Sequence, residues 1–318
     1  MILVLRALGV GDLATAVPAL RGLRAAYPDR PLTLAAPAWL APLVGLVGGV
    51  DRLLDTAGLG PARWPGPAPE VAVNLHGSGP GSHRMLAAAR PGRILAYANP
   101  EAGFTDGPDW DEDAHEVRRW CRLLAWYGVP ADPADLALHR PPQAGMPPAA
   151  TVLHPGSKIA AKRWPAERFA ALAHRLDRQG HRVVVTGSAD ERSLAHRVAA
   201  AAGLPPDAVL AGRTHLGDVA ALVASARMVV SGDTGVAHLA TAYGTPSVVL
   251  FGPVSPARWG PPSDRPRHRV LWAGDRGDWP RWDGVGTHPT LAALGVDEVC
   301  AAVDEVERVV RVSGAVAA

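Results

Sequence analysis

Cysteine is nearly absent from this chain of 318 residues. Only Cys121 and Cys300 occur, each inside a helical pattern and neither with metal-ligand spacing. A disulfide scaffold is excluded, and a reducing, cytoplasmic setting is expected. Charge of one sign is also lacking: 32 Lys and Arg against 30 Asp and Glu leave a formal net charge of +2. That is too small to imply non-specific nucleic-acid binding, so no nucleic-acid partner is expected. Long apolar runs are missing too. The longest, Trp39 to Val50, contains Pro42 and three glycines and is too short to span a bilayer. Arg6 interrupts the first apolar run after a strand's length, so no signal peptide is read. A soluble protein is expected, with peripheral membrane contact left open. What is present is a hydrophobic content of 48%, enough for a full core. The length suits one large or two medium domains.

The most informative stretch is Val229 to Pro253, VVSGDTGVAHLATAYGTPSVVLFGP. It predicts a strand, a tight turn, a helix from Val236 to Tyr243, a break at Gly244-Thr245-Pro246, and a second strand over Ser247 to Phe251. Apolar strands without alternation suit a parallel sheet buried on both faces. The turn Asp233-Thr234-Gly235 opens the helix. Its unpaired N–H groups, on Thr234, Gly235 and Val236, suit an anion such as a phosphate. Asp233, which would repel phosphate, suits hydroxyls or a helix cap. His238 falls on the first turn.

The same punctuation recurs along the chain. Strands are predicted at Ile2–Leu5, Leu32–Ala35, Val71–Leu75, Thr151–Leu153, Arg182–Val185 and Val209–Leu210. Helices are predicted at Leu13–Tyr27, kinked at Pro18, and at Ser82–Ala89, Ala114–Tyr127, Pro165–Gln179, Asp190–Ala202, Leu216–Ser225 and Val296–Arg311. Arg140 to Pro148, rich in proline and glycine, reads as a linker. The organisation is therefore α/β, with two doubly wound Rossmann-like domains over residues 1–143 and 144–318. The last helix could pack back on the first domain.

Gly9-Val10-Gly11-Asp12-Leu13-Ala14 fits the G-x-G-x-x-A dinucleotide fingerprint. Asp12, however, stands where the pyrophosphate belongs, and the strand ending at Ala35 offers no acid for a ribose. The glycines therefore make room for something other than a dinucleotide, against an NAD-dependent oxidoreductase. His154-Pro155-Gly156-Ser157-Lys158, followed by Lys162 and Trp164, is a loop after a strand without P-loop spacing. Lysines beside a diphosphate neutralise the charge that develops as it leaves; Trp164 reads as packing. Asp111-Glu112-Asp113 has the look of a D-x-D metal motif, but it reads as the acidic start of a helix. No metal site and no cofactor are expected.

An N-terminal strand ending in Leu-Gly-x-Gly-Asp, a mid-chain His-Pro-Gly-Ser with Lys-x-Trp-Pro after it, and Asp-Thr-Gly-x-x-His-Leu-Ala with Phe-Gly-Pro downstream occur here in that order. In this the chain resembles glycosyltransferase family 9, the heptosyltransferase-like family, along nearly its whole length. The resemblance implies a GT-B fold, two domains facing each other across a cleft. It implies an inverting, metal-independent transfer from a nucleotide-diphosphate sugar, ADP-heptose above all, to a hydroxyl of a glycan, lipopolysaccharide-like or small-molecule acceptor. The implied base is Asp12, and Lys162 stabilises the leaving diphosphate. Ser157, Lys158, Gly187, Gly212, Arg213, Asp233, Thr234, Gly235 and His238 would line the donor site. Gly9, Gly11, His76 and Arg84 would face the acceptor. Three departures stand out. Heptosyltransferases carry a Glu near the turn that here reads Val209-Leu210-Ala211-Gly212-Arg213, which leaves the nucleotide open. Asn74 replaces an Asp, and His288-Pro289-Thr290 replaces His-Pro-Cys. A nucleotide-sugar binding protein without catalysis remains an alternative, as does a relative using a different nucleotide-sugar. The Trp272 to His288 loop has no assigned role.

Overall fold

The computed structural model describes residues 1–60, 64, 66–142, 145–275 and 285–316. It divides into two compact units, Met1–His139 and Arg140–Ala318. The boundary expected between residues 143 and 144 falls on residues outside those described, as do 276–284 within the Trp272–His288 loop.

In the first unit the strands are β1 (Ile2–Leu5), β2 (Leu32–Ala36), β3 (Arg52–Asp55), β4 (Val71–Asn74) and β5 (Arg93–Leu95). The helices are α1 (Val10–Ala26), α2 (Ala41–Val47), α3 (Pro80–Ala87) and α4 (Glu116–Trp126). All neighbouring strands are parallel, in the order β3-β2-β1-β4-β5. Every residue of β1, β2 and β4 is buried, so the sheet is covered on both faces. This is why these strands read as unbroken apolar runs. The short edge strands β3 and β5 are half exposed, and their mixed composition hid them from the sequence reading. Helix α1 runs through Pro18, as the expected Leu13–Tyr27 helix does. Proline removes one hydrogen bond at that point, but Pro18 and its neighbours Val17, Ala19 and Leu20 are buried against the core.

The second unit repeats the plan. Its strands are β6 (Thr151–His154), β7 (Val183–Val185), β8 (Met228–Gly232), β9 (Ser247–Phe251) and β10 (His268–Trp272). They are parallel, in the order β10-β9-β8-β6-β7. The helices are α5 (Ala166–Arg178), α6 (Arg192–Ala202), α7 (Leu216–Ser225), α8 (Gly235–Tyr243), α9 (Pro256–Trp259), α10 (Pro289–Ala292) and α11 (Val296–Val316). The strand expected at Val209–Leu210 is reduced to a single bridge from Val209 to Val185. Helix α8 stops at Gly244, whose φ of 64° is the left-handed C-terminal cap that glycine adopts without strain. Helix α11 packs on α5, β9 and β10. Trp164 is 2% exposed, meets Phe169 edge-on and donates from Nε1 to the Leu294 carbonyl at 3.0 Å. It is a core residue. Among the described residues, no helix is long and apolar enough to cross a membrane.

Candidate functional site

In the second unit the strand order reverses between β6 and β8, and the C-terminal ends of strands at such a switch point are where open α/β sheets bind ligands. The loops leaving those two strands carry Lys162 and Asp233. Lys162 Nζ donates to Asp233 Oδ2 at 2.6 Å, with the two side chains 19% and 7% exposed. The loops touch closely: a Cβ on Gly232 would lie 2.9 Å from the Lys162 carbonyl oxygen, so only glycine fits where β8 ends. His238 Nε2 stands 3.8 Å from the other Asp233 oxygen, and its ring meets Trp259 edge-on. Thr234 is the N-cap of α8 but makes no side-chain cap bond, and its buried hydroxyl has no hydrogen-bond partner. A polar group buried without a partner costs about 1–3 kcal/mol, a cost that an arriving ligand oxygen would remove. With the N–H groups of the first turn of α8, it makes a site for an anion.

Ser157 is buried and Lys158 is exposed on the loop after β6. The Ser157 hydroxyl accepts from Ile159 N–H at 3.3 Å, and its carbonyl accepts from Arg163 Nε at 2.7 Å. The two glycine turns are tied together, Gly212 N–H donating to the Gly187 carbonyl at 3.0 Å. Arg213 lies exposed beside them, and its guanidinium turns back to the Val209 carbonyl at 3.4 Å. A glutamate does stand at this edge. It comes from the first turn and not the second: Glu191 accepts from Ser188 N–H at 2.8 Å. A Cβ on Gly156 would overlap its carboxyl group, so glycine there is what admits Glu191 to the loop after β6. His154, at the end of β6, bonds through Nδ1 to Thr186 Oγ1 at 3.0 Å. Burial holds its imidazole below the ordinary histidine value, against the pull of Glu191.

In the first unit the order reverses between β1 and β4, and the loops after them carry Asp12 and His76. Asp12 is the third residue of α1. Its Oδ2 accepts from Gly9 N–H at 3.0 Å, so it caps the helix while its side chain keeps 27% exposure. Behind it lies Arg6, 1% exposed. Arg6 Nε donates to the Asp12 carbonyl at 3.0 Å, and Nη2 reaches Asp12 Oδ1 at 3.5 Å, Thr15 Oγ1 at 3.2 Å and Glu116 Oε1 at 2.9 Å. Nη1 donates to the Leu75 carbonyl, and the guanidinium lies 4.8 Å over the Trp120 ring. Glu116 also accepts from Trp120 Nε1 at 2.9 Å and pairs with Arg119. Burial pushes the Glu116 carboxyl up, but Arg6 and Arg119 outweigh it and hold the group below its ordinary value.

His76 faces the same charges. Burial, then Arg6, keeps its imidazole below the ordinary value against the pull of Asp12, and its buried Nδ1 has no hydrogen-bond partner. Asn74 is fully buried and structural: its amide donates to Ser82 Oγ at 2.9 Å and accepts from His76 N–H at 3.1 Å. Arg84 is exposed on α3 and donates to the Glu101 carbonyl at 3.0 Å. Gly9 and Gly11 flank the start of α1. The acidic run Asp111–Asp113 does not begin a helix: α4 starts at Glu116, with His115 as N-cap accepting from Val117 N–H at 3.3 Å. The Asp111 and Glu112 carbonyls instead accept from Arg119. His288 caps α10 and bonds Thr290 Oγ1 at 2.7 Å.

Three residues of these sites escaped the sequence reading: Arg6, Glu116 and Glu191. Arg6 carried a signal, since a charge set among buried strand residues must find partners. The lysines carried another. Of 32 basic residues only Lys158 and Lys162 are lysine, and both lie in one loop.

Two parallel, doubly wound units with polar residues gathered at each switch point define the GT-B class. The solved structure of the Escherichia coli ADP-heptose lipopolysaccharide heptosyltransferase II superposes with a TM-score of 0.75, covering 96% of this chain and 98% of that one at 23% identity. A glycosyltransferase family 9 protein from Veillonella parvula gives a TM-score of 0.77, covering 96% of each chain at 20% identity. Residues 109–278 match the sequence profile of glycosyltransferase family 9 (heptosyltransferase), and the chain belongs to that family. Lipooligosaccharide heptosyltransferase 2 of Haemophilus influenzae is 37% identical over 117 residues, 35% of this chain and 33% of the relative. Lipopolysaccharide heptosyltransferase 1 of Pseudomonas aeruginosa is 39% identical over 149 residues, 45% of this chain and 41% of the relative. The matches thus span less than half the length of these curated relatives.

Proposed function

We propose that the protein is an inverting glycosyltransferase that moves heptose from ADP-heptose to a hydroxyl of a lipopolysaccharide-like glycan. The observation that carries this reading is the Lys162–Asp233 pair beside the open amino terminus of α8, at the switch point of the second sheet. The Thr234 hydroxyl and the first amides of α8 receive the diphosphate. Lys162 offsets the charge that builds on it as the glycosidic bond breaks. Asp233 and Glu191 are carboxylates at the same strand ends, suited to hydroxyls of the sugar and the ribose. The positive charge next to Asp233 is an ammonium at 2.6 Å, so the chain supplies from lysine what other transferases take from a metal.

In the first unit Asp12 is the base. Its half-open carboxylate is fixed by Gly9 and Arg6, and a carboxylate within hydrogen-bond reach can take the acceptor proton. The acceptor oxygen then bonds the anomeric carbon from the face opposite the diphosphate, which departs with the electron pair. A neutral His76 beside Asp12 can orient the hydroxyl, and Arg84 can meet an acceptor anion. Peripheral contact with the membrane follows if the acceptor is lipid-linked.

The test is calorimetric binding of ADP-, GDP-, UDP- and dTDP-sugars, with and without EDTA, followed by transfer to heptose-deficient lipopolysaccharide. Selective, EDTA-insensitive binding of ADP-heptose, lost in Lys162→Ala, is expected. Preference for another nucleotide would move the donor and keep the mechanism. Binding without transfer or hydrolysis would favour a non-catalytic protein. Asp12→Asn should bind donor normally while turnover falls by about 10² or more; near-normal turnover would remove Asp12 from the base role.

A further inference from the structure

We propose that the Lys162–Asp233 pair discriminates against the spent nucleoside diphosphate, so that the carboxylate of the pair helps product leave. This rests on the donor site assigned above and adds a selectivity to it. Lys162 and Asp233 come from adjacent strands, β6 and β8, and meet at 2.6 Å with the carboxylate only 7% exposed. The contact between Gly232 and the Lys162 backbone fixes the loops that bear them. The lysine is therefore already neutralised before any ligand arrives. An ammonium has three donors, so Lys162 can hold Asp233 with one and offer the others to a phosphate oxygen.

The consequence differs for two ligands that share the same diphosphate. Either one brings negative charge close to the Asp233 carboxylate, in a site largely removed from water, where repulsion is poorly screened. A sugar donor compensates by giving its hydroxyl hydrogens to Asp233, whose second oxygen faces His238 at 3.8 Å. A nucleoside diphosphate that has lost the transferred sugar keeps only the ribose hydroxyls, which the donor also has, and lacks the sugar hydroxyls that would face Asp233. It meets the repulsion with no compensating hydrogen bond. Once the sugar has gone, the Asp233 carboxylate, still held by Lys162, repels the product.

The experiment measures dissociation constants of ADP and ADP-heptose for wild type, Asp233→Asn, Asp233→Ser and Lys162→Met, at one fixed ionic strength, with circular dichroism to verify folding. If the nucleotide panel selects another base, that pair is used instead. Asp233→Asn removes the charge and keeps the shape; Asp233→Ser serves if the amide variant does not fold. ADP should bind the Asp233 variants roughly tenfold more tightly than wild type, while ADP-heptose gains nothing. The preference for donor over product should therefore collapse about tenfold or more. Unchanged or weakened ADP binding in the variants overturns the proposal. Lys162→Met should lose both ligands, which separates the two levels of inference. If wild type binds ADP and Lys162→Met does not, the donor site stands and the ratio alone judges the discrimination. If no nucleotide binds any form, the donor site itself is wrong, and the discrimination with it.

Discussion

Replacing Glu116 by glutamine tests whether the first unit depends on its buried charges. The amide keeps the shape of the carboxylate and deletes its charge. In the native chain that charge answers Arg6 at 2.9 Å and Arg119 beside it, and accepts from Trp120 Nε1 at 2.9 Å. All three partners are at most 5% exposed as side chains or residues, so water cannot replace the lost partner. Removing one member of a buried ion pair costs about 3–5 kcal/mol, because the remaining charge is stranded. Of its two carboxylate partners Arg6 would keep only Asp12, at 3.5 Å, and Arg119 would lose its carboxylate and keep the Asp111 and Glu112 carbonyls and the Trp110 ring. We expect a loss near the lower limit, about 3 kcal/mol, since the amide oxygen still accepts one hydrogen bond. Urea unfolding followed by tryptophan fluorescence reads it, because Trp120 lies in the network. The pH dependence has a definite sign. Glu116 titrates below its ordinary value of 4.5 in the folded chain, so its contribution is present above pH 4.5 and is lost as pH falls through the lower folded value. The glutamine variant should lose that acid-side slope. A loss under about 0.5 kcal/mol would refute the argument, since it would mean the cations find other partners.

His268 should make the second unit acid-sensitive: burial, then Arg265 and Arg267, lowers its imidazole from 6.5 to about 4. The folded chain holds it neutral, so stability is full above pH 6.5 and falls between pH 6.5 and 4, by about 2 kcal/mol at pH 5. His268→Asn should flatten that part of the pH–stability curve; an unchanged slope would point to His154 or His181, which are shifted the same way. Gly156→Ala should displace the Glu191 carboxyl and weaken donor binding about tenfold without unfolding the chain, because the group it meets ends a flexible side chain. Unaltered affinity would remove Glu191 from the donor site. Trp164→Ala should cost about 3–5 kcal/mol, read as a lowered urea midpoint, without changing the nucleotide preference.

The fold was legible where burial and punctuation agree. The strands β1, β4, β6, β8 and β9 are largely apolar and nearly all buried, and each is followed within a few residues by a Gly- or Pro-marked turn, so they stood out as strands. Edge strands β3 and β5 are half wet, and nothing local distinguishes them from loops. Pro18 lies inside α1 as expected, with the residues around it buried. At the sites, turns next to helix starts were readable, whereas partners distant in sequence were not. Glu116 lies 110 residues from Arg6, and Asp233 lies 71 from Lys162. No local pattern announces such pairs; only the topology that brings β1 beside α4's first turn, or β6 beside β8, creates them. Asp111–Asp113 failed for the converse reason. Its acids suited a helix start, but His115 supplies the cap two residues later, and the carbonyls of the run are held by Arg119.

The lysine count gives these pairs a common logic. A chain that uses arginine nearly everywhere retains lysine only in the loop after β6, and the two switch points use their cations differently. If Asp12 is the proposed base, the need there is a fixed carboxylate. Arginine meets it, because its rigid fork can hold the Asp12 carbonyl, Thr15, Leu75 and Glu116 at once. On the proposed donor reading, the need at Asp233 is a cation that can serve the carboxylate and a visiting phosphate together. A compact ammonium with rotating donors meets that, and a planar guanidinium committed to one carboxylate does not. Lys162→Arg should therefore fold normally and yet bind the donor poorly. The expected loss is about tenfold or more in affinity, with the Asp233 contact retained as a bidentate pair. An arginine variant that bound donor as well as wild type would show that charge alone suffices there, and that the scarcity of lysine elsewhere has no bearing on this site.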